Sequence, residues 1–205
     1  EKTIKVLKKI EKYNAKTLLP KFIKEKDFNV ICICTGFNQK DLRYKKFIND
    51  KNLKFVDRFA FVGNKILKFY ENKSKYIIKK PNYLQKSTSS LKELLQWFDK
   101  YFINTNFFPD YILYLDLNYK KINTLRVYNM YQNTIYSNYD SSTFVTESYK
   151  DFLFYNSNSK NYDFLNPNLL NKKNKSPFYI AQYGLGTITK PKIIREGMLI
   201  NTTSC

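Results

Sequence analysis

Histidine is absent from this chain of 205 residues, and only five glycines, three cysteines and one tryptophan are present. Without histidine, the chain lacks the side chain that enzymes most often use as a general base. The longest apolar runs, VICIC and YILYL, are far too short to span a bilayer. The sequence therefore excludes histidine-dependent catalysis and predicts no membrane-spanning segment.

The three cysteines are too few for a disulfide framework in a chain of this size. Cys32 and Cys34 lie two positions apart in VICICTG, which places both on one face of a strand, and Cys205 is the last residue. With no histidine and no second cysteine pair, a zinc site lacks ligands. We predict that Cys32 and Cys34 belong to the core and that the chain holds no metal.

A glycine-rich phosphate loop is also missing. Gly184 and Gly186 in QYGLGT form the only glycine pair, and they lack both the third glycine and the following helix of a dinucleotide-binding motif. After the first apolar strand, TGFNQK contains a single glycine. We therefore expect no cofactor, no catalytic residue and no small-molecule substrate.

Asp110 and Asp116 bracket the apolar run YILYL. Asp116 follows a strand, at the position where a magnesium-binding or phospho-accepting aspartate would lie. The structural alternatives are that Asp116 caps the next helix together with Asn118, and that Asp110 caps the start of the strand after Pro109. No companion acidic pair or motif lysine is present, so we favour the structural roles. A nucleotide- or magnesium-binding phosphotransfer enzyme that uses Asp116 is the alternative function.

Basic residues dominate the chain. There are 36 Lys and Arg against 17 Asp and Glu, which gives a formal net charge of +19. The electrostatic field of so positive a protein attracts polyanions, most often RNA or DNA. The 18 Tyr and 17 Phe add rings on which unpaired bases can stack. An anionic membrane surface, bound through a basic helix near the N-terminus, is the rival partner.

The abundant residues Lys, Asn, Ile, Tyr, Phe and Leu are those with AT-rich codons. This bias indicates an organelle or a reduced genome as the source. It also accounts for part of the lysine excess, which weakens the charge argument for a nucleic-acid partner.

Short apolar strands alternate with helical patterns along the chain, and the clearest helix begins at a capping box formed by Ser90 and Glu93. We predict strands at FNVICICTG, LKFVDRF, YILYLDL, NTIYSN and DFLFYN, and helices over about 1–25, 38–52, 87–102 and 118–130. This alternation implies βαβ units. We therefore predict an α/β fold with a mainly parallel sheet flanked by helices, of the Rossmann or flavodoxin-like kind.

The domain boundaries follow from changes in composition. We assign residues 1–170 to one α/β domain, within which 65–106 is a basic helical insertion. Residues 171–205 differ in character, and we predict a C-terminal extension that docks on something else.

Six segments occur in the order EKTIKVLKKI, ICICTG, FVDRFAFVGNKIL, FPDYILYLD, NTIYSNYDSS and KDFLFYNSNS. They resemble, in the same order, L-E-K-T, F-V-G-T, F-V-x-x-R-W-x-G-G-x-L-T-N, L-P-D-x-x-x-x-x-D, D-T-N and V-D-F-x-I-P-x-N-D, which are motifs of the small-subunit ribosomal protein S-two family. The resemblance covers about residues 1–170. The family positions matched are Pro109, Asp110, Asp116, Asp140 and Asp151.

The chain departs from the family pattern at several points. DSS replaces D-T-N, the W-x-G-G segment keeps only Gly63, and the family's long coiled-coil hairpin, between about Tyr70 and Phe108, is shortened. The family segment before L-E-K-T has no counterpart here, and the tail after Leu170 has no counterpart in the family.

The resemblance implies a nucleotide-binding-like fold that serves as a scaffold without enzymatic activity. Together with the AT-rich residue composition, it implies a structural constituent of the mitochondrial ribosome, located in the mitochondrion, that binds ribosomal RNA and other small-subunit proteins in translation, with no membrane partner. We predict that a set of basic side chains neutralises rRNA phosphates. The set is Arg43, Lys45, Lys46, Arg58, Lys65, Lys68, Lys73, Lys75, Lys79 and Lys80.

Overall fold

The computed structural model describes residues 28–36, 43–63, 65–71, 74–85, 90–119, 121–148, 153–156, 158, 160–164 and 178–200. Its strands are β1 (Val30–Thr35), β2 (Arg58–Val62), β3 (Ile66–Glu71), β4 (Ser74–Lys79), β5 (Tyr111–Asp116), β6 (Ser141–Thr143), β7 (Val145–Ser148), β8 (Leu153–Asn156), β9 (Asn161–Phe164), β10 (Phe178–Ala181) and β11 (Thr187–Thr189). Its helices are α1 (Arg43–Ile48), α2 (Leu91–Asn104), α3 (Thr124–Tyr136) and α4 (Pro191–Arg195). The helix predicted over 1–25 lies outside the described residues.

Seven strands form one sheet in the order β4-β3-β2-β1-β5-β11-β6. Strand β1 is parallel to both β2 and β5, whereas the four other pairings are antiparallel. The sheet is therefore mixed, and parallel pairing is confined to its three central strands. Only three residues separate β2 from β3 and two separate β3 from β4, and connections this short permit antiparallel pairing only.

Helices cover both faces of the sheet. Alternate residues of β1 point to opposite faces, so Cys32 and Cys34 lie in one core and Ile31 and Ile33 in the other. Helices α1 and α3 pack on the cysteine side, and α2 and α4 pack on the isoleucine side. Both cysteines are fully buried, as predicted, and burial raises the pKa of the Cys32 thiol well above its ordinary value.

The helical insertion predicted at 65–106 is wrong for residues 66–79, which form the antiparallel hairpin β3-β4. In β3, Leu67 and Phe69 are buried on the α2 side, whereas Tyr70 packs beside Tyr44 of α1. This alternation has the two-residue period of a strand. The lysines interspersed among the apolar residues hide that period in the sequence.

Helix α2 begins at the predicted capping box. The Ser90 side chain accepts a hydrogen bond from the Glu93 backbone N–H at 3.1 Å, and the Glu93 carboxylate accepts one from the Ser90 N–H at 2.9 Å. These bonds satisfy two backbone donors that the helix itself leaves free. Behind the cap, the spaced apolar residues Leu94, Leu95 and Phe98 are buried, as helical periodicity requires.

The C-terminal segment is part of the domain, so the separate extension predicted for residues 171–205 is wrong for the strand β11. This strand lies inside the sheet, between β5 and β6, and its Ile188 is completely buried in the cysteine-side core. Strand β10 pairs with β7 in a separate two-stranded ribbon. A three-residue strand is too short to show a period in the sequence, which explains the error.

Helix α3 lies about six residues later in the chain than predicted, and the predicted strand NTIYSN falls mostly within its last turns. Asn123 caps the helix, because its side-chain oxygen accepts a hydrogen bond from the Arg126 N–H at 3.1 Å. Val127, Tyr131 and Ile135 are buried at the four-residue spacing of a helical face. Helical spacing outweighs the β-branched residues in this run.

Candidate nucleic-acid interface

The carboxyl ends of β1 and β5 lie where an open α/β sheet normally binds its ligand. The chain leaves β1 through α1 on one face and reaches β5 through α2 on the other, so the strand order reverses between β1 and β5. Such a reversal usually leaves a crevice beyond the strand ends. This edge is therefore the first place to look for a site.

Around Gly36 and Gly184, the described part of this edge lies against side chains of the protein itself. Gly36 has φ +69°, and a Cβ there would lie 2.7 Å from Asp116 Oδ1 and 2.8 Å from Asn118 Cγ. A Cβ at Gly184 would lie 2.5 Å from Tyr119 Cε2. A side chain at either position would force its neighbours to move, and the positive φ of Gly36 also favours glycine there. The carboxyl edge of β1 and β5 is thus packed against the segment around Gly184.

Both aspartates of the β5 region make structural hydrogen bonds. Asp116 Oδ1 accepts a hydrogen bond from the Asn118 N–H at 2.9 Å, which stabilises the turn after β5. This turn precedes α3, so the expected role of Asp116 as a helix cap is wrong. Asp110 Oδ2 accepts a hydrogen bond from the Asn29 N–H at 2.7 Å, and so joins the starts of β5 and β1.

Three of the predicted RNA-binding lysines are exposed on the α1 side of the sheet. Lys45 and Lys46 are exposed on α1. Lys79 is exposed at the end of β4 and pairs with Ile66 of β3, so the two side chains lie on the same face of the sheet. Tyr70 of β3 is on that face as well and packs beside Tyr44 of α1, which makes it the α1 side. We call the exposed lysines Lys45, Lys46 and Lys79, together with Lys121, the basic face.

Lys65 and Lys80 lie together where the β3-β4 hairpin joins the rest of the chain. The Lys80 N–H donates to the Lys65 carbonyl at 2.9 Å. Lys65 is exposed, whereas Lys80 is half-buried, and burial lowers the pKa of its ammonium group. Of the two, Lys65 is better placed to contact a phosphate.

Arg58 and Lys68 are poorly placed for phosphate binding. The Arg58 guanidinium carbon lies 3.7 Å from the centre of the Phe107 ring, in the core on the far side of the sheet from α1. Lys68 is 9% exposed, with its Nζ 5.7 Å from the centre of the Tyr44 ring. Both cations pack on aromatic faces, a stabilising arrangement within the fold. We therefore leave them out of the interface.

Three other predicted RNA-binding residues fall at the margins of the described structure. Lys73 lies outside the described residues. Arg43 and Lys75 belong to α1 and β4, but their side chains are outside the described part of the structure.

A cavity of about 280 Å³ opens between α1 and the segment that joins β5 to α3. Lys46 and Phe47 line it from α1, and Tyr119 and Lys121 line it from the β5-α3 segment. Tyr119 and Lys121 are not among the residues predicted from the sequence. Their position in the sequence could have indicated them, because Tyr119 and Lys121 follow the buried strand β5, and α/β proteins bind ligands at the carboxyl ends of such strands.

Within the part of the chain that the structure describes, no three Cys, Asp or Glu side chains come together as a metal site requires. Among the same residues, no helix has the length and apolar character needed to cross a membrane.

Comparison with known proteins yields no family. The chain matches no protein-family model and no curated protein sequence. The geometry of the described residues and the motif resemblance therefore carry the functional argument.

Proposed function

We propose that this chain is a structural constituent of the small subunit of the mitochondrial ribosome, where it binds ribosomal RNA and neighbouring proteins. One observation carries the proposal: directly beyond the ends of β1 and β5, where an α/β enzyme would hold a phosphate, Gly36 and Gly184 lie against the protein's own side chains. A fold packed in this way suits a scaffold. The motif resemblance and the net charge of +19 support the same function.

The basic face supports the RNA part of the proposal. Lys45, Lys46 and Lys79 are exposed on one side of the sheet, where they can contact phosphates along one RNA surface. Lysine contacts to phosphates supply affinity and orientation without reading the base sequence. Ribosomal RNA has a fixed fold, so contacts of this kind suffice to position a scaffold protein on it.

The ribbon β7-β10 supports the protein part of the proposal. A two-stranded ribbon is marginally stable on its own in water. This one exposes large apolar side chains: Val145 is 51% exposed, Tyr179 62% and Ile180 40%. The register places Val145 and Tyr179 on one face of the ribbon and Ile180 on the other. Both faces therefore expose apolar surface of the kind found at contact sites for other proteins. We assign the ribbon to a contact with an adjacent small-subunit protein.

We further infer that the three parallel strands, with α1 and α2 on opposite faces, are the remnant of a Rossmann-like unit. The antiparallel strands on both sides extend that unit. This arrangement agrees with the scaffold that the S-two resemblance implies.

Sedimentation tests the proposed function. Mitochondria of the source organism are lysed, washed at moderate salt and separated on a density gradient. We expect the chain to sediment with the small subunit and to leave it after RNase digestion, since phosphate contacts hold it there. Recovery at the top of the gradient would overturn the proposal.

The next test would then be nucleotide binding by the wild-type protein and by Asp116→Asn, which addresses the alternative enzyme function.

A further inference from the structure

The cavity beside α1 has a polar wall that is fixed by hydrogen bonds. Asp50 Oδ1 accepts a hydrogen bond from the Asn52 N–H at 2.9 Å, and Asp50 Oδ2 accepts one from the Thr124 hydroxyl at 3.0 Å. The Asn52 side-chain amide donates to the same Thr124 oxygen at 3.1 Å. These bonds tie the end of α1 to the start of α3, so the cavity is held open by the fold.

The charge around the cavity favours an anion. Lys46 and Lys121 are exposed and line it, and Asp50 is the acidic residue of the lining. Both carboxylate oxygens of Asp50 are engaged in the wall. The lining therefore carries two positive charges against one negative charge, an excess that suits a phosphate.

One aromatic ring of the lining is both accessible and held in place. Tyr119 is 38% exposed. Its Cε2 lies so close to the backbone of Gly184 that a Cβ there would be 2.5 Å away. A ring fixed against backbone loses little freedom when a base stacks on it. Base stacking on such rings is a general way of holding unpaired nucleotides.

From these features we propose that the cavity binds a single unpaired nucleotide of an RNA strand. The base stacks on Tyr119, and the adjoining phosphate contacts Lys46 and Lys121. The volume of about 280 Å³ lies just below the range of about 300–1,000 Å³ for drug-sized ligands, so we limit the proposed occupant to one nucleotide. This assignment rests on the proposed RNA-binding function and adds to it a preference for single-stranded RNA.

Binding of the 205-residue chain to a short single-stranded RNA, to the same RNA as a duplex, and to free AMP or UMP tests the assignment. Fluorescence anisotropy at fixed salt gives each Kd. We expect the single strand to bind more tightly than the duplex. Tyr119→Leu should weaken single-strand binding about 5- to 100-fold, the usual range for losing one stacked base. Lys121→Glu should also weaken it, because the variant replaces a phosphate contact with a repulsive charge. Lys100→Glu and Tyr179→Leu, at exposed positions outside the cavity lining, are the matched controls.

The outcomes separate this assignment from the proposed function. If the wild-type chain binds neither RNA, the proposed RNA-binding function fails. If it binds RNA but the two cavity variants behave like their controls, RNA binding stands and the cavity assignment is wrong. Binding of AMP or UMP as tight as that of the RNA strand would make the cavity a mononucleotide site and also overturn the assignment. If Tyr119→Leu does not fold, Lys121→Glu at its exposed position decides.

Discussion

Single charged residues hold the C-terminal segment against the rest of the domain. The Asp140 carboxylate lies 2.9 Å from Lys190 Nζ and 2.6 Å from Lys192 Nζ. Arg195 donates two hydrogen bonds to Asp99, from Nε at 2.7 Å and from Nη2 at 2.8 Å. The Asp140 contacts join the start of β6 to α4, and the Arg195–Asp99 pair joins α4 to α2.

The Asp140 contacts predict a specific pH dependence of stability. Hydrogen bonds from Lys192 and Lys190 lower the pKa of Asp140 below its ordinary value. The contacts therefore stabilise the fold at pH values above the unfolded-state pKa of about 3.9, and this contribution disappears as the pH falls through the lower folded-state pKa. The side chain is about a quarter exposed, so we expect Asp140→Asn to cost only on the order of 1 kcal/mol at pH 7.

Urea unfolding across this pH range measures the effect. The difference in unfolding free energy between the wild type and Asp140→Asn should shrink towards zero at acidic pH. Glu196→Gln makes the same charge change at an exposed residue just after α4 and is the control. A difference that does not depend on pH would show that the Asp140 contacts are not ionic.

Removal of Arg195 should destabilise the protein more than its exposed position suggests. Asp99 is 6% exposed, and Arg195→Met would leave its carboxylate buried without this partner. Loss of a partner to a buried polar group costs about 1–3 kcal/mol. Arg126→Met, at an exposed position on α3, should change stability by less than about 0.5 kcal/mol. Equal unfolding free energies for the two variants would contradict a stabilising role for the Arg195–Asp99 pair.

At the scale of elements, the sequence predicts those whose own residues carry a strong local signal. Strand β1, strand β5 and helix α2 follow from apolar runs and a capping box. Strand β11 does not, because its three residues belong to the sheet only through pairing with β5 and β6, which lie far away in sequence. Tyr119 and Gly184 likewise meet only through this long-range packing.

A core substitution in β11 tests whether the C-terminal segment belongs to the domain. Ile188 is completely buried between the sheet and α3, so Ile188→Ala should lower the unfolding free energy by about 2–5 kcal/mol. Ile180→Ala in the exposed ribbon strand β10 removes the same atoms from a side chain that is 40% exposed, and it should cost less than about 1 kcal/mol. Similar stabilities of the two variants in urea would indicate that β11 does not contribute to the core.

At the scale of the whole molecule, RNA binding should depend on where positive charge lies as well as on its amount. The double variant Lys45→Glu/Lys79→Glu reverses two charges of the basic face, and Lys92→Glu/Lys100→Glu reverses two exposed charges on α2, on the opposite side of the sheet. Both variants have the same net charge. We expect only Lys45→Glu/Lys79→Glu to bind RNA much more weakly. In that variant the slope of log K, where K is the binding constant, against log salt concentration should become shallower by about 0.7 for each single-strand phosphate that is no longer neutralised.

Equally weakened binding in the two double variants would mean that net charge alone drives binding. The codon bias of the sequence makes this outcome a real alternative, since it raises lysine content everywhere in the chain. The two double variants therefore distinguish a built interface from a compositional effect.

The most direct test of the central claim is ultraviolet cross-linking of the chain to RNA in intact mitochondria, followed by sequencing of the attached fragments. We predict that the fragments come from the small-subunit ribosomal RNA and cluster at one surface of it. Fragments drawn mainly from messenger or transfer RNA, or cross-linking no stronger than that of an unrelated basic protein, would contradict the assignment to the ribosome.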